Sequence, residues 1–333
     1  MSTATPESTR HLRVIAIVGP TAVGKSALAE HLAASVGGQI VSADSMQVYR
    51  GMDIGTAKPP AKGRRVPYHC LDIVDPGTPF SAALYQHEAR EAIARIARAG
   101  ALPFVCGGTG LYVRAALDDW DFPGGETSTP ARQALEREAA DVGPAAMHER
   151  LALVDLDSAR LIHPSNVRRT IRALEMAAQG DSYAAQAARF SVRHSVYDTV
   201  FLGLTMERER LYRRIETRVE QMVETGLLDE VASLLEAGFR DALTAAQAIG
   251  YKELVPVVEA GADLTEAIEE IKRATRRYAK RQLTWFRGDP RIRWIDATDR
   301  STDECARAAA GLLESDEPDT GTPAPGTWRL PAG

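Results

Sequence analysis

A lysine and a serine close the run Gly19-Pro20-Thr21-Ala22-Val23-Gly24-Lys25-Ser26, and they carry the plainest chemistry in the chain. The run fits G-x-x-x-x-G-K-[ST]. In that spacing glycines let successive backbone N–H groups turn onto phosphate oxygens, Lys25 adds a point charge, and the Ser26 hydroxyl can hold a Mg²⁺ ion bridging those oxygens. The apolar stretch Val14-Ile15-Ala16-Ile17-Val18 before it predicts the strand such a loop must leave. Ala27-Leu28-Ala29-Glu30 after it predicts a helix whose positive end points at the same anion. A bound phosphate is expected at this loop, but the loop alone names no reaction.

A nucleotide kinase or ATPase carries a strand ending in an Asp that reaches Mg²⁺ near such a loop. Here the candidate strand, Leu102-Pro103-Phe104-Val105-Cys106, runs into Gly107-Gly108-Thr109-Gly110-Leu111-Tyr112, which offers bare backbone and one hydroxyl. Small residues there let another molecule approach closely. The nearest strand-end carboxylate is Asp44, in Val41-Ser42-Ala43-Asp44-Ser45-Met46-Gln47-Val48-Tyr49. In an open parallel sheet both loops emerge at the carboxyl edge, so Asp44 can face the phosphate site; a turn or cap residue is the plainer alternative.

The elements that must position these groups follow from the apolar pattern. Runs at 12–18, 39–43, 69–74 and 102–106 alternate with helical stretches, the clearest at 81–99, where Ser81 can cap, Leu84, Ala92, Ile93 and Ile96 form the apolar face and Gly100 ends the helix. Alternation of this kind predicts an α/β fold with a P-loop NTPase-like parallel sheet flanked by helices. Between 119 and 129 the composition turns to Asp, Pro, Gly, Ser and Thr, and a helical stretch follows to about 179, which reads as an insertion. A strand at 199–204, a helical part at 208–287 broken near Gly226, Gly238, Gly250 and Gly261, and a strand at 291–295 complete the chain. The expected domains are a core of residues 10–119 and 199–313, a helical insertion at 120–198 and a disordered tail at 314–333, rich in Pro, Gly and Thr.

The 333 residues are 44% hydrophobic and 26% charged, as in an ordinary soluble protein. Neither a signal-peptide stretch nor a membrane-length apolar run is present, so a cytoplasmic protein with no membrane contact is expected. Cys70, Cys106 and Cys305 are too few and scattered for a disulfide framework or a zinc site and are expected to be buried or incidental.

The net charge of −5 hides an uneven distribution, for residues 271–293 hold nine Lys or Arg and one acid, Asp289. Arg273, Arg276, Arg277, Lys280 and Arg281 fall at i, i+3, i+4, i+7 and i+8, one helical stripe suited to a phosphate backbone, with Ile271, Ala274, Tyr278 and Trp285 free to pack the other side. Trp285 and Phe286 can stack on a base or pack in the core.

From about Val14 to Trp294 the chain resembles the tRNA dimethylallyltransferases, also called tRNA isopentenyltransferases, in their bacterial form without a zinc finger. The Gly19–Ser26 loop is similar to the family's own, as is the stretch from Asp44 through Met52 to Pro59. Gly107 to Tyr112, Arg168 to Glu175, Gln247 to Glu253 and Tyr278 to Arg287 are further matches, and the set together is diagnostic. Val23 stands where the family usually has Ser or Thr, and Gly180-Asp181-Ser182 replaces the usual Gly-Lys-Pro.

The resemblance implies that N6 of an adenosine just 3′ of the anticodon attacks the first carbon of dimethylallyl diphosphate, with diphosphate leaving. It implies Lys25, Ser26 and Mg²⁺ at the diphosphate, Asp44 as the group that orients N6 and accepts its proton, Thr109 at the junction of donor and acceptor, and Arg218 as a second cation. It further implies tRNA contacts, chiefly to the anticodon stem-loop, through Asp44, Ser45, Met46 and Gln47, Thr109, Arg132, and Arg168, Arg169, Thr170, Ile171 and Arg172. Gln247, Ala248, Ile249, Gly250, Tyr251 and Lys252, and Lys280, Arg281, Gln282, Leu283, Thr284, Trp285, Phe286 and Arg287, complete that set. A monomer is expected. Competing readings are an ATP-binding small-molecule kinase, prenyl transfer to free AMP, ADP or ATP, and a non-catalytic RNA-binding module. The last leaves the loop and Asp44 idle, and the second leaves the insertion and the stripe idle.

Overall fold

The computed structural model describes residues 12–122, 129–242 and 244–315. From the amino end, β1 (Arg13–Val18), α1 (Lys25–Ser35), β2 (Gln39–Ser42), β3 (Tyr68–His69), α2 (Ala82–Arg98), β4 (Pro103–Gly107) and α3 (Gly110–Leu117) alternate strand and helix. The chain then forms α4 (Pro130–Val154), α5 (Leu156–Leu161), α6 (Val167–Ala178) and α7 (Tyr183–Ser191). It returns through β5 (Asp198–Thr205), α8 (Arg208–Glu224), α9 (Leu227–Glu236), α10 (Tyr251–Ala260), α11 (Leu264–Arg287), β6 (Ile292–Asp296) and α12 (Thr302–Glu314).

The six strands pair in parallel in the order β3-β2-β4-β1-β5-β6. β1, at an inner position, is apolar from Val14 onward, and Val14 to Val18 are inaccessible, as a strand covered on both faces must be. Because all strands are parallel, the loops after β1, β2 and β4 leave from one edge, which brings the Gly19–Ser26 loop, Asp44 and Thr109 to the same side.

Three local readings need correction. The strand expected at 69–74 shrinks to Tyr68–His69, because Cys70 and Asp72 take left-handed backbone angles (φ 61° and 53°) that no strand accommodates. In α2, Ser81 caps the helix by accepting from Leu84 N, but Leu84 itself is exposed and Tyr85 takes its place on the buried face. At the carboxyl end Glu314 lies in α12, whose core-facing Cys305, Ala309 and Leu313 anchor it, and Ser315 follows as its C-cap; residues 316–333 of the expected tail lie outside the described residues.

The chain divides into two compact units, Met1–Asp119 with Ser195–Gly333, and Trp120–His194. Residues 195–198, expected in the insertion, thus belong to the first unit. The second unit packs Met147, Leu151, Ala159, Ile162 and Leu174 at its centre. Thr129 caps α4 with Pro130 in the first turn, and Gly143 (φ 81°) with Pro144 kinks that helix. The departure at Gly180-Asp181-Ser182 acquires a local purpose here. Gly180 takes φ 81° just after α6, and Ser182 caps α7 while donating to Asp155 at 2.8 Å.

Candidate active site

The loop between β1 and α1 wraps a cation. Lys25 Nζ donates to Pro20 O at 2.6 Å, and among the described residues it has no carboxylate within ion-pair distance. Burial draws its pKa down from 10.5 to about 8; Cys106 opposes the shift, Arg218 adds to it and Asp44 opposes it. The Cys106 thiol is itself pushed up to about 11, chiefly by burial, so it is neutral near pH 8 and the negative charge facing Lys25 is that of Asp44. A half-buried ammonium with no carboxylate at ion-pair distance can receive an anionic ligand. Ser26 lies exposed at the first turn of α1, and Val23 points into the core, so the family's usual hydroxyl at that position is replaced by packing.

Arg218 reaches this loop from α8, its Nη1 3.5 Å from Thr21 Oγ1, with a pKa lowered by burial, opposed by Asp44 and lowered further by Arg214. Gly24, Lys25, Ser26, Arg210, Arg213, Arg214 and Arg218 line a cavity of about 700 Å³. Arg214 is missing from the sequence-based set, although Arg210, Arg214 and Arg218 recur every four residues and so share one face of α8.

A second cavity, of about 400 Å³, lies next to the first and shares Arg218 and Ala22 with it. Asp44, Ser45 and Met46 line it, together with the whole Gln247 to Lys252 segment. Ile215, Val219, Met222, Leu227, Ile271 and Ala274 make much of its wall apolar. Asp44 Oδ1 accepts from Met46 N at 2.9 Å, so the turn role and the site role coexist in one carboxylate. Thr109 Oγ1 accepts from Ser45 N at 3.1 Å, which ties the loop after β4 to the loop after β2. Tyr278, absent from the sequence-based set, lines the same cavity; burial, then Asp44, pushes its hydroxyl up to about 12, against hydrogen bonds to Thr109 and Gln282.

Several residues expected at an RNA surface serve the scaffold instead. Gln47 accepts from Ser42 Oγ at 2.8 Å and donates to Thr56 O at 3.2 Å. Tyr251 is inaccessible and donates to Glu230 at 2.6 Å, a carboxylate that also accepts from Asp53 N, Ile54 N and Gly55 N. Thr170, Ile171, Ala248, Gly250, Gln282 and Phe286 are buried, and Leu283 is half-buried. Arg132 is paired with Glu136 and Glu175, and Arg172 with Glu175. Arg168, Arg169, Gln247, Lys252, Lys280, Arg281, Thr284, Trp285 and Arg287 are exposed.

The cationic stripe is only partly available. Glu270, which immediately precedes the basic run, pairs with Arg273 and Arg277, and Glu216 of α8 pairs with Arg276. Lys280, Arg281 and Arg287 carry no ion pair among the described residues, and Arg281 lies over the Tyr278 ring at 5.7 Å. Arg291, near the end of the same run, is committed to Asp118 and Asp289.

Comparison with known proteins decides the family. IPP transferase sequences match residues 47–289, more than half of the chain, and isopentenyl transferase sequences match residues 12–65, which hold the phosphate loop and Asp44. The chain belongs to the IPP transferase family. The tRNA dimethylallyltransferase of Geobacillus thermodenitrificans is 49% identical over 307 residues, covering 90% of this chain and 97% of the relative. That of Acidothermus cellulolyticus is 47% identical, covering 91% and 95%. The crystal structure of a tRNA isopentenylpyrophosphate transferase from Bacillus halodurans superposes with a TM-score of 0.66 at 44% identity, covering 91% of this chain and 97% of that one. A eukaryotic dimethylallyltransferase acting on tRNA superposes with a TM-score of 0.77 at 30% identity, covering 92% and 80%. These IPP transferase relatives share the α/β fold, and their names identify prenyl transferases that modify tRNA.

Proposed function

We propose that the protein transfers a dimethylallyl group from dimethylallyl diphosphate to N6 of the adenosine 3′-adjacent to the anticodon of tRNA. The observation that carries this reading is the meeting of two cavities at Arg218, one cationic and built on the phosphate loop, the other apolar-walled and bearing Asp44. In the reaction the N6 lone pair forms a bond to C1 of the prenyl group, the C1–O bond breaks, and diphosphate departs. Lys25 and Arg218 stabilise the charge that grows on the leaving oxygens. Asp44 orients N6–H and takes its proton, and Thr109 holds the backbone of Ser45 beside it.

Ser26, exposed at the first turn of α1, is the residue that would hold a Mg²⁺ ion together with diphosphate oxygens, as such ions are commonly held by few protein ligands. When bound the ion would neutralise diphosphate charge.

RNA contacts are assigned to the exposed cations Lys280, Arg281 and Arg287 of the first unit and, separately, to Arg168 and Arg169 of the second. No described helix is long and apolar enough to cross a membrane, and we take the enzyme to act as a monomer in the cytoplasm. The test is incubation with Mg²⁺, dimethylallyl diphosphate and either an unmodified anticodon stem-loop or AMP, read by mass spectrometry. A kcat/KM at least about 10² higher for the stem-loop is expected, because remote backbone contacts must offset the cost of unstacking the base. Equal values would replace tRNA by free nucleotide as the acceptor, and phosphoryl transfer from ATP in a parallel incubation would replace the reaction itself.

A further inference from the structure

Gln282 has both ends of its amide committed inside the site. Its side chain is buried on α11, 5% exposed, and its Oε1 accepts from Thr21 N at 2.8 Å while its Nε2 donates to Gly108 O at 2.9 Å. The two partners fix the amide orientation, since Thr21 N–H can only donate and Gly108 C=O can only accept. The bond spans 261 residues to the phosphate loop and 174 to the loop after β4.

The partner in the phosphate loop is one end of a peptide plane whose other end holds the lysine. Pro20 C=O and Thr21 N–H belong to the same planar unit, and Pro20 O accepts from Lys25 Nζ. Rotating that plane would break both bonds together. Gln282 is therefore joined to the Lys25 ammonium through one rigid peptide unit.

The partner after β4 is shaped for this contact. A Cβ at Gly108 would stand 2.2 Å from Gln282 Nε2, and one at Gly110 would stand 2.1 Å from the Trp285 ring. The two glycines receive Gln282 and Trp285, one turn apart on α11, and between them lies Thr109, whose hydroxyl bonds to Tyr278 from the same helix. One face of α11 thus grips both loops of the site, while Lys280 and Arg281 on the same helix are exposed.

We infer that Gln282 is a positioning residue of the donor cradle, holding the Lys25 loop at a fixed distance from Thr109, and not a contact to RNA. The inference rests on the transferase reading for the identity of the donor, but its geometry needs only an anion at Lys25. Inorganic diphosphate is therefore the probe. With the full chain and Mg²⁺, Gln282→Met is expected to weaken diphosphate binding about tenfold and to lower kcat by a similar factor, while the Kd for the anticodon stem-loop stays within about twofold, as follows from unpairing one buried amide of the cradle. Loss of stem-loop affinity with diphosphate binding intact would make Gln282 an RNA contact and overturn the inference, as would no change in either. Should Gln282→Met fail to fold, Gly108→Ala sets a methyl group 2.2 Å from Gln282 Nε2, which displaces the amide from the loop after β4 and introduces no charge. It too is expected to weaken diphosphate binding and kcat with stem-loop binding unchanged, and unchanged diphosphate binding would overturn the inference. A wild-type chain that binds diphosphate but prenylates no stem-loop would sink the transferase reading and leave the role of Gln282 standing.

Discussion

The ammonium of Lys25 is held 2.6 Å from the carbonyl oxygen of Pro20, five residues earlier in the same loop, a neutral acceptor for a charge that burial disfavours. With a pKa near 8, Lys25 loses its proton in the free enzyme at a pH where an ordinary lysine keeps it. A bound diphosphate favours the charged form, so binding at pH 8–9 should take up a proton, and affinity should fall by up to about tenfold per unit above pH 8. Calorimetry in buffers of different ionisation enthalpy reads the uptake; a flat profile to pH 10 would place the Lys25 pKa elsewhere. For the ligand-free protein the sign reverses. Between pH 8 and 10.5 the unfolded chain holds the proton that the folded one has released, so this group adds stability as pH rises through that window.

Asp44→Asn isolates proton acceptance from architecture, because an Asn Oδ1 can still accept from Met46 N as Asp44 does. The rate of prenyl transfer should drop about 10² or more, with the melting temperature and stem-loop affinity unchanged. Single-turnover kinetics at near-normal speed would remove Asp44 from the chemistry.

The cations of α11 should separate into two classes. Arg276 and Arg277 are engaged by Glu216 and Glu270, so replacing both by Gln should leave the salt dependence of stem-loop binding nearly unchanged. Replacing Lys280 and Arg281 should lower the slope of log K against log salt by about 0.7 to 0.9 for each phosphate no longer neutralised. Identical slopes for the two double variants would mean that the ion pairs open on binding.

Glu230→Leu should destabilise the protein by about 1–3 kcal/mol, since it strips the acceptor from three backbone N–H groups at 53–55 and from the Tyr251 hydroxyl. Hydrogen exchange should accelerate at residues 53–55 first. Protection unchanged there would show that the segment is held by its other anchor, Lys58, which pairs with Asp53 and Asp72.

Much of the site is legible in the sequence because its signals are local. The strand, loop and helix around Lys25 follow from an apolar run and glycine spacing within about fifteen residues, and the glycine breaks between α8 and α11 fall where the helices end. What escapes depends on distant partners or on backbone angles that residue type does not announce. Nothing near Gln282 points to Thr21, 261 residues away, and nothing in the α11 stripe reveals that Glu216 on another helix neutralises Arg276. The shortening of β3 comes from left-handed Cys70 and Asp72, neither of which is a glycine. The family's RNA-contact stretches mix surface residues with the buried ones that hold them, and only accessibility separates Lys252 from Tyr251.

The chain leaves the first unit after Asp119 and re-enters it at Ser195, and those two points are already fastened together. Asp118 and Ser195 form an antiparallel bridge, Val196 N donates to Leu117 O at 2.9 Å, and the buried Asp118 carboxylate is clasped by Arg114 at 2.5 Å and Arg291 at 2.7 Å. Entry and exit are fastened within the first unit, and none of the six strands of the sheet lies in residues 120–194, which form a compact unit of their own. A chain in which a short turn joins residue 119 to residue 195 should still fold cooperatively and bind diphosphate. Acquisition and exchange of the intervening segment would then be free to proceed without disturbing the site that holds the donor.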